Sequence, residues 1–358
     1  LICESSKTKN NQTDNDDLYK IYWEDTKMEF SATAGTAGGS LKALFEVRDG
    51  DNLENFKGKV TKADSYSLTV ENTSIDNIKS LNLPDKDGKI TVNNISYSYD
   101  SWEAQVDAQG NIKSVTFNLS KDKAIADPEK TVAEGYLLNA GSAINARGIP
   151  YYMTQLNEFV RNFSEMFNQI ESKGQNLNGD TPPTFFEAIT NTAKVYDFSE
   201  SEAYSKLPDG QTATISSSSN TYYRMTAANF SVNKDVMNDV SLFATSTDYV
   251  KTDSCDIVDE LKKLQSEKTV YRGDKAESFL ETIISNVSVD TEKAETYNKL
   301  YSNLEQTIAN QRTSVSGVDE DEEALNLVKF QYSYNMASKI ISVMNQMLDK
   351  LINDTGVA

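Results

Sequence analysis

The chain contains no histidine among its 358 residues. That removes the side chain that most often serves as general base, proton shuttle or zinc ligand near neutral pH. Ser-His and Cys-His nucleophile pairs and the HExxH metal motif are therefore excluded. Cysteine is nearly missing as well: Cys3 and Cys255 are too few for a disulfide framework and show no CxxC spacing. Cys255 is expected to behave as a small buried hydrophobe. No run of about 18 apolar residues occurs, and the opening Leu1-Ile2-Cys3-Glu4 lacks the basic and apolar regions of a signal peptide. Positive charge is in deficit. Lys and Arg total 35 against 54 Asp and Glu, a net charge of -19, which repels phosphate backbones and anionic headgroups. Neither nucleic acid nor a membrane surface is expected as a partner. Hydrophobic residues are also few, at 38% of the chain against a typical value of about 45–50%. Asn, Ser, Thr and Asp fill the shortfall, which predicts thin, elongated domains rather than one thick globule.

What is present divides the chain by texture. Residues 1–17 run through Lys, Asn, Thr and Asp with almost no apolar residue after Ile2, a composition expected to be a disordered or truncated end. An aromatic cluster, Tyr19, Tyr22 and Trp23, is followed by the small-residue stretch Ala34 to Gly39. Leu41, Leu44, Phe45 and Val47 then begin a helix. From Gly50 to Gly148 short alternating segments recur: Lys59–Thr61, Ser67–Val70, Ile90–Val92, Ile95–Tyr99, Ala104–Val106 and Val115–Leu119. Period-two runs separated by turns such as Pro84 to Gly88 and Asp107 to Gly110 predict a small antiparallel β domain. From Tyr151 the period becomes helical, with Leu156, Phe159, Val160, Phe163, Phe167 and Ile170 on one stripe that ends near Gly174. Residues 187–250 carry strand-like pieces at Val195–Phe198 and Tyr222–Phe230, and pattern alone determines them poorly.

No proline follows Pro208 and no glycine interrupts Val318 to Thr355, so the tail reads as one or two long helices. Its apolar seam is regular. Leu327, Phe330, Tyr334, Ala337, Ile341, Met344, Leu348 and Leu351 alternate steps of three and four, the 3.5-residue period of a coiled coil. Ile340, Met347 and Ile352 widen the stripe, so this face calls for more than one partner. Asp319 is placed to cap the helix with Glu322 three residues on, and the remaining acids of Asp319–Glu323 sit at the positive dipole end. Helical stretches near Val258–Leu264 and Lys275–Thr313 lie upstream and are candidates to pack against the tail; a helical hairpin from Glu292 to Ile352 is expected.

The segment Ser314-Val315-Ser316-Gly317-Val318-Asp319 through Leu327, with Phe330-Gln331, Tyr334-Asn335, Ala337-Ser338-Lys339 and Ile340 to Asp349, resembles the C-terminal signature of flagellar hook-associated proteins of the FlgK type. Two further blocks agree: Gly39-Ser40-Leu41 with Leu44 and Arg48-Asp49, and Gln155 to Phe159 leading to Asn168 and Leu177-Asn178-Gly179. In that family the Arg-Asp block runs almost directly into the Gln-Leu block. Here Gly50 to Arg147 lies between them, as an inserted β domain whose task the family does not imply. The family also begins with a helical segment that pairs with the C-terminal helix. Nothing in residues 1–30 resembles it, so the chain is expected to be a fragment or a truncated product.

The fold class expected is thus α+β, elongated and multidomain, with long C-terminal helices forming a helical hairpin or coiled coil plus an inserted antiparallel β domain. Residues 18–49 and 148–318 would form a helical rod domain with a mixed α/β portion, 50–147 the insert, and 319–358 the C-terminal assembly helix. The resemblance implies a structural, non-enzymatic subunit at the hook-filament junction of the bacterial flagellum, extracellular after export through the flagellar secretion apparatus. It implies self-association in a ring, contact with the hook protein and the next hook-associated junction protein, and an export chaperone at the C-terminal helix. No cofactor or metal is expected.

Other readings compete. Consecutive helical carboxylates diverge, so Asp319–Glu323 is favoured as a cap over a cation site. Asp85-Lys86-Asp87-Gly88 has Ser96 where a calcium loop needs its twelfth-position glutamate, which favours a plain turn. Tyr151-Tyr152 is favoured as packing over a ligand pocket. No spacing singles out a catalytic carboxylate pair among the 54 acids. An adhesin or glycan-binding module carried by the insert is the alternative function.

Overall fold

The computed structural model describes the chain except residues 1, 9–17, 27–29, 31–34, 36–37, 86–87, 122–123, 127, 129–131, 133, 142, 191, 202, 251–253, 268 and 355–358. Described residues divide into two compact units, 1–284 and 285–358. The first opens with an antiparallel strand pair, β1 (Ile2–Thr8) and β2 (Leu18–Tyr22), then helix α1 (Gly39–Asp49). Strand β1 thus falls in the stretch whose composition predicts no order; the rest of that stretch, and Lys86 and Asp87 of the expected turn, lie outside the described residues.

Six strands close a barrel: β3 (Phe56–Asp64), β4 (Ser67–Glu71), β5 (Gly88–Val92), β6 (Ile95–Val106), β7 (Ile112–Leu119) and β8 (Leu137–Ala140). The order is β6-β5-β8-β3-β4-β7, with β7 pairing back onto β6 and every pairing antiparallel. The pattern of the sequence separates Ile95–Tyr99 from Ala104–Val106, yet both belong to one twelve-residue strand. A register shift between Tyr99 and Ser101 is the reason. The extra residue moves the inward set from Tyr97 and Tyr99 to Trp102, Ala104 and Val106, breaking the period-two pattern without ending the strand. Tyr99, Trp102, Phe117, Leu68 and Ile90 are fully buried in the barrel core, each contributing about 1.5–3 kcal/mol of transfer free energy. The polar tips of the two largest are satisfied: Trp102 Nε1 and Tyr99 Oη both donate to the Pro84 carbonyl oxygen, at 3.0 and 3.2 Å.

Entry to and exit from the barrel meet at two glycines. Gly148 N donates to Gly50 O at 3.0 Å, Asn52 N donates to Ala146 O at 2.9 Å, and the backbones of Asp51 and Arg147 pair as an isolated antiparallel bridge. A Cβ on Gly50 would collide with the carbonyls of Glu46 and Ala146, and one on Gly148 with those of Glu46 and Val47. The two crossing chain segments approach more closely than any side chain allows.

Beyond that crossing runs α2 (Ile149–Glu171), with Pro150 in its first turn. Its Phe stripe meets the segment 276–283: Phe159 stacks on Phe163 and on Phe279, and Ala276, Phe279 and Ile283 are buried against Tyr152, Leu156, Phe159 and Phe163. Tyr151 is buried and packs edge-on to Tyr152 at 5.1 Å between centroids. The opposite, polar face of α2 is buried too, at Asn157, Glu158, Arg161, Asn162, Glu165 and Asn168. Strands β9 (Phe186–Ala188) and β11 (Phe230–Val232) pair with each other, while β10 (Ala213–Ser216) joins the barrel on β6. Of the strand-like pieces read at Val195–Phe198 and Tyr222–Phe230, neither forms a strand along its length; Tyr222–Arg224 is a 3-10 turn. Helices α3 (Lys234–Asn238) and α4 (Asp256–Ser266) follow, then a hairpin of β12 (Thr269–Tyr271) and β13 (Asp274–Lys275). Cys255 precedes α4 and is exposed with a free thiol, correcting the expectation of burial. It stands before the first turn of the helix, whose buried face is taken by Ile257 and Leu264.

The tail consists of α5 (Ala276–Ser316) and α6 (Glu320–Asp354), together a bent helical stretch of 79 residues. Within the second unit the two helices follow one another and do not pack side by side, so the hairpin form of the expectation is not adopted. The break is local: Gly317 N donates to Thr313 O, closing one further turn of α5, and Val318 then leads directly to the Asp319 cap.

Candidate assembly surface

The helix carrying the predicted seam starts where its capping residue stands. Asp319 Oδ1 accepts from the backbone amides of Asp321 at 2.9 Å and Glu322 at 3.4 Å, satisfying two of the amides that a helix start leaves open. The reciprocal bond of a capping box, from the Glu322 carboxylate, is not made among the described residues. Four acids in the first turn, Glu320 to Glu323, face the positive end of the dipole. Such an arrangement diverges in space; no group of metal-ligating side chains occurs among the described residues.

Every seam residue of α6 is exposed. Phe330 and Tyr334 are each 75% accessible, Leu327 71%, and Ala337, Ile341, Met344, Leu348 and Leu351 are likewise in the open. A second stripe runs beside the first. Val328, Tyr332, Met336, Ile340, Val343 and Met347 are all exposed as well, and at 100° per residue they lie roughly a third of a turn from the seam. Of these the sequence reading singles out only Ile340 and Met347; the fourfold steps from Val328 to Ile340 are the signal for the rest. Gln331, Asn335, Ser338, Ser342, Asn345 and Asp349 occupy the remaining third. Lys329, Lys339, Gln346 and Lys350 fall within the arc of the second stripe, so α6 carries one apolar seam and one mixed face, the pattern of a helix with a main neighbour and a second, more polar contact.

Helix α5 carries a narrower stripe. Tyr297, Leu300, Tyr301, Leu304, Ile308 and Val315 are exposed, with Tyr297 and Tyr301 stacked at 6.3 Å. Its width suits one neighbouring helix. No helix of the described residues is long and apolar enough to cross a membrane.

The segment bearing this surface also carries a family signature. Residues 309–354 match the family described as flagellar basal body rod FlgEFG protein, C-terminal. Across most of its length the chain is 21% identical, over 341 residues, to flagellar hook-associated protein 1 of Bacillus subtilis (strain 168). Both likenesses are to flagellar proteins. The resemblance read from the sequence is thereby supported at its C-terminal block and over 93% of the chain. The chain spans 56% of the length of that relative. The matched segment begins in the last turns of α5 and ends with α6, so it contains the Gly317 break, the Asp319 cap and both apolar stripes of α6.

Proposed function

We propose that the chain is a structural, non-enzymatic subunit of the bacterial flagellum at the hook-filament junction, exported and then assembled through α6. The observation that carries this reading is the fully exposed eight-residue seam, with its companion stripe, inside the segment that matches a flagellar family. Burying apolar surface contributes about 25 cal/mol per Å², so a dozen exposed Leu, Ile, Val, Met and aromatic side chains supply a large driving force that a single chain leaves unused. Two stripes make α6 a helix that meets at least two neighbours, as in a ring of identical subunits with contacts to the hook protein on one side and the next junction protein on the other. Before assembly the same face is the natural seat of an export chaperone, which would lay α6 into a groove.

The test is a charge placed in the seam. The double variant I341E/M344E is expected to keep the thermal midpoint of the β barrel and the helicity of the tail, because both positions are exposed in the isolated chain. It is expected to be absent from purified flagella. Gln331→Ala, in the polar third of the helix, should be incorporated normally. Incorporation of the double variant at the level of the unsubstituted chain would refute the reading.

A further inference from the structure

A polar cavity lies within the first unit, far from the seam in sequence, and none of the assembly reading uses it. It has a volume of about 120 Å³ and is walled by the loop preceding β5, by α2, and by residues from Tyr196 to Asn229. Two guanidinium groups line it. Arg161 is 5% exposed; its Nε donates to Met225 O at 2.9 Å, its Nη1 donates to Leu81 O at 2.7 Å, and its plane lies 4.4 Å over the Tyr223 ring. Arg224 is half-buried and lies 4.4 Å over the Tyr196 ring, but its guanidinium makes no hydrogen bond and no ion pair with any described residue. Ser217 is 6% exposed, lines the same cavity, and its hydroxyl has no hydrogen-bond partner among the described residues.

These groups are unusual together. A guanidinium with no counter-charge and a cavity-lining hydroxyl with no protein partner together leave a planar donor fork and a donor hydroxyl open to a ligand. Asp85 lines the same cavity, yet Arg224 stacks on Tyr196 and forms no ion pair among the described residues. We infer that this cavity is a binding site for a small monocarboxylate. A carboxylate is acceptor-only, matches the planar fork of Arg224, and accepts the Ser217 hydroxyl with its second oxygen. The volume corresponds to roughly four water molecules, which suits a carboxylate with a short tail lying along the tyrosine rings. Asp85, exposed on the cavity wall, opposes a second negative charge and so disfavours phosphate.

Because every lining residue precedes Ser285, binding and assembly have separate readouts. The probe is sodium L-lactate titrated into the full chain, with sodium chloride at matched ionic strength as reference, followed by thermal midpoint and by calorimetric titration. The expected result is saturable lactate binding that weakens at least tenfold in Arg224→Gln and severalfold in Ser217→Ala, with no saturable response to phosphate. Should the glutamine variant fail to fold, Arg224→Lys keeps the charge without the fork and is expected to show the same tenfold loss. A lactate response no different from chloride overturns the site. So does affinity unchanged in the Arg224 variants, and phosphate binding as tight as lactate overturns the monocarboxylate assignment.

Discussion

At the scale of single residues, several side chains and two glycines are set by contacts made far away in sequence. Gly50 and Gly148 have unremarkable neighbours in the chain, yet each faces carbonyl oxygens that leave no space for a Cβ. Gly148→Ala is expected to cost on the order of 3 kcal/mol, read as a fall in the denaturant midpoint; a loss under half that would show the crossing to be slack. Arg272 joins three segments: its Nε donates to Glu158 Oε2 at 2.9 Å and its Nη1 donates to Glu54 Oε2 at 3.2 Å, while Glu158 Oε1 accepts from Ser80. Glu171 is the opposite case. It is buried, one carboxylate oxygen has no partner, the other accepts a long 3.4 Å bond from Ala244 N, and burial pushes its pKa up to about 7. Its folded pKa lies above its ordinary value, so the folded state holds the proton more tightly. The stability it contributes is full below about pH 4.5 and is lost as pH rises through 7. Comparing unfolding free energies of the chain and Glu171→Gln at pH 5 and pH 8 should show the unsubstituted chain losing about 2 kcal/mol more than the variant; parallel pH profiles would contradict this. None of these roles is legible in the sequence, because nothing local distinguishes Glu171 or Arg272 from other charged residues.

At the scale of elements, legibility follows how local the cause is. The start of α6 is written in Asp319 and the acids after it, and the structure has Asp319 accepting the first free amides. Asp319→Ala should therefore cost about 1 kcal/mol of helix stability, seen as lower tail helicity by circular dichroism and a lower midpoint for its loss; unchanged helicity would mean that dipole and propensity suffice. Strands β4 and β5, and β7 from Val115 to Leu119, are visible as alternation because each keeps one phase there, whereas β3 shifts register between Val60 and Lys62 and shows only in part. Strand β6 was not visible as one element, since the shift at Tyr99 to Ser101 reverses which parity faces inward. Strands β8 and β10 are four residues each and exist through their neighbours. Helix α2 was half legible: the Phe stripe shows its period, but the burial of Glu158, Arg161 and Glu165 depends on carbonyls, lysine and arginine supplied by distant segments. Residues 187–250 are largely turns held by side chains of other elements, such as Asn157 accepting from Ala227 N and Asn168 donating to the Tyr222 hydroxyl. Pattern reading has no purchase on such a segment.

At the scale of the whole molecule, the glycine crossing and the seam are the features with consequences. The meeting of Gly50 with Gly148 means that the barrel leaves and re-enters the chain at one point, which is the geometry an inserted domain needs to be added without moving α1 from α2. The seam was read in the sequence residue by residue because a 3.5 period is a local regularity. Its width was underestimated, since the second stripe from Val328 to Met347 shows only when exposure is mapped around the helix. The hairpin was expected because both helices carry stripes that a fold-back would join. They stay apart in the single chain, leaving both available to neighbours.

The measurement that bears most directly on the assembly account is amide hydrogen exchange of residues 320–354, compared between the isolated chain and the same chain in purified flagella. The account predicts that α6 exchanges within seconds to minutes when isolated, as an exposed helix with no buried face, and becomes protected by at least a hundredfold on assembly, while the barrel strands are equally protected in both. Exchange of α6 that is equally fast in the assembled flagellum would contradict it, for then neither stripe is covered and the helix does not hold the subunit in place.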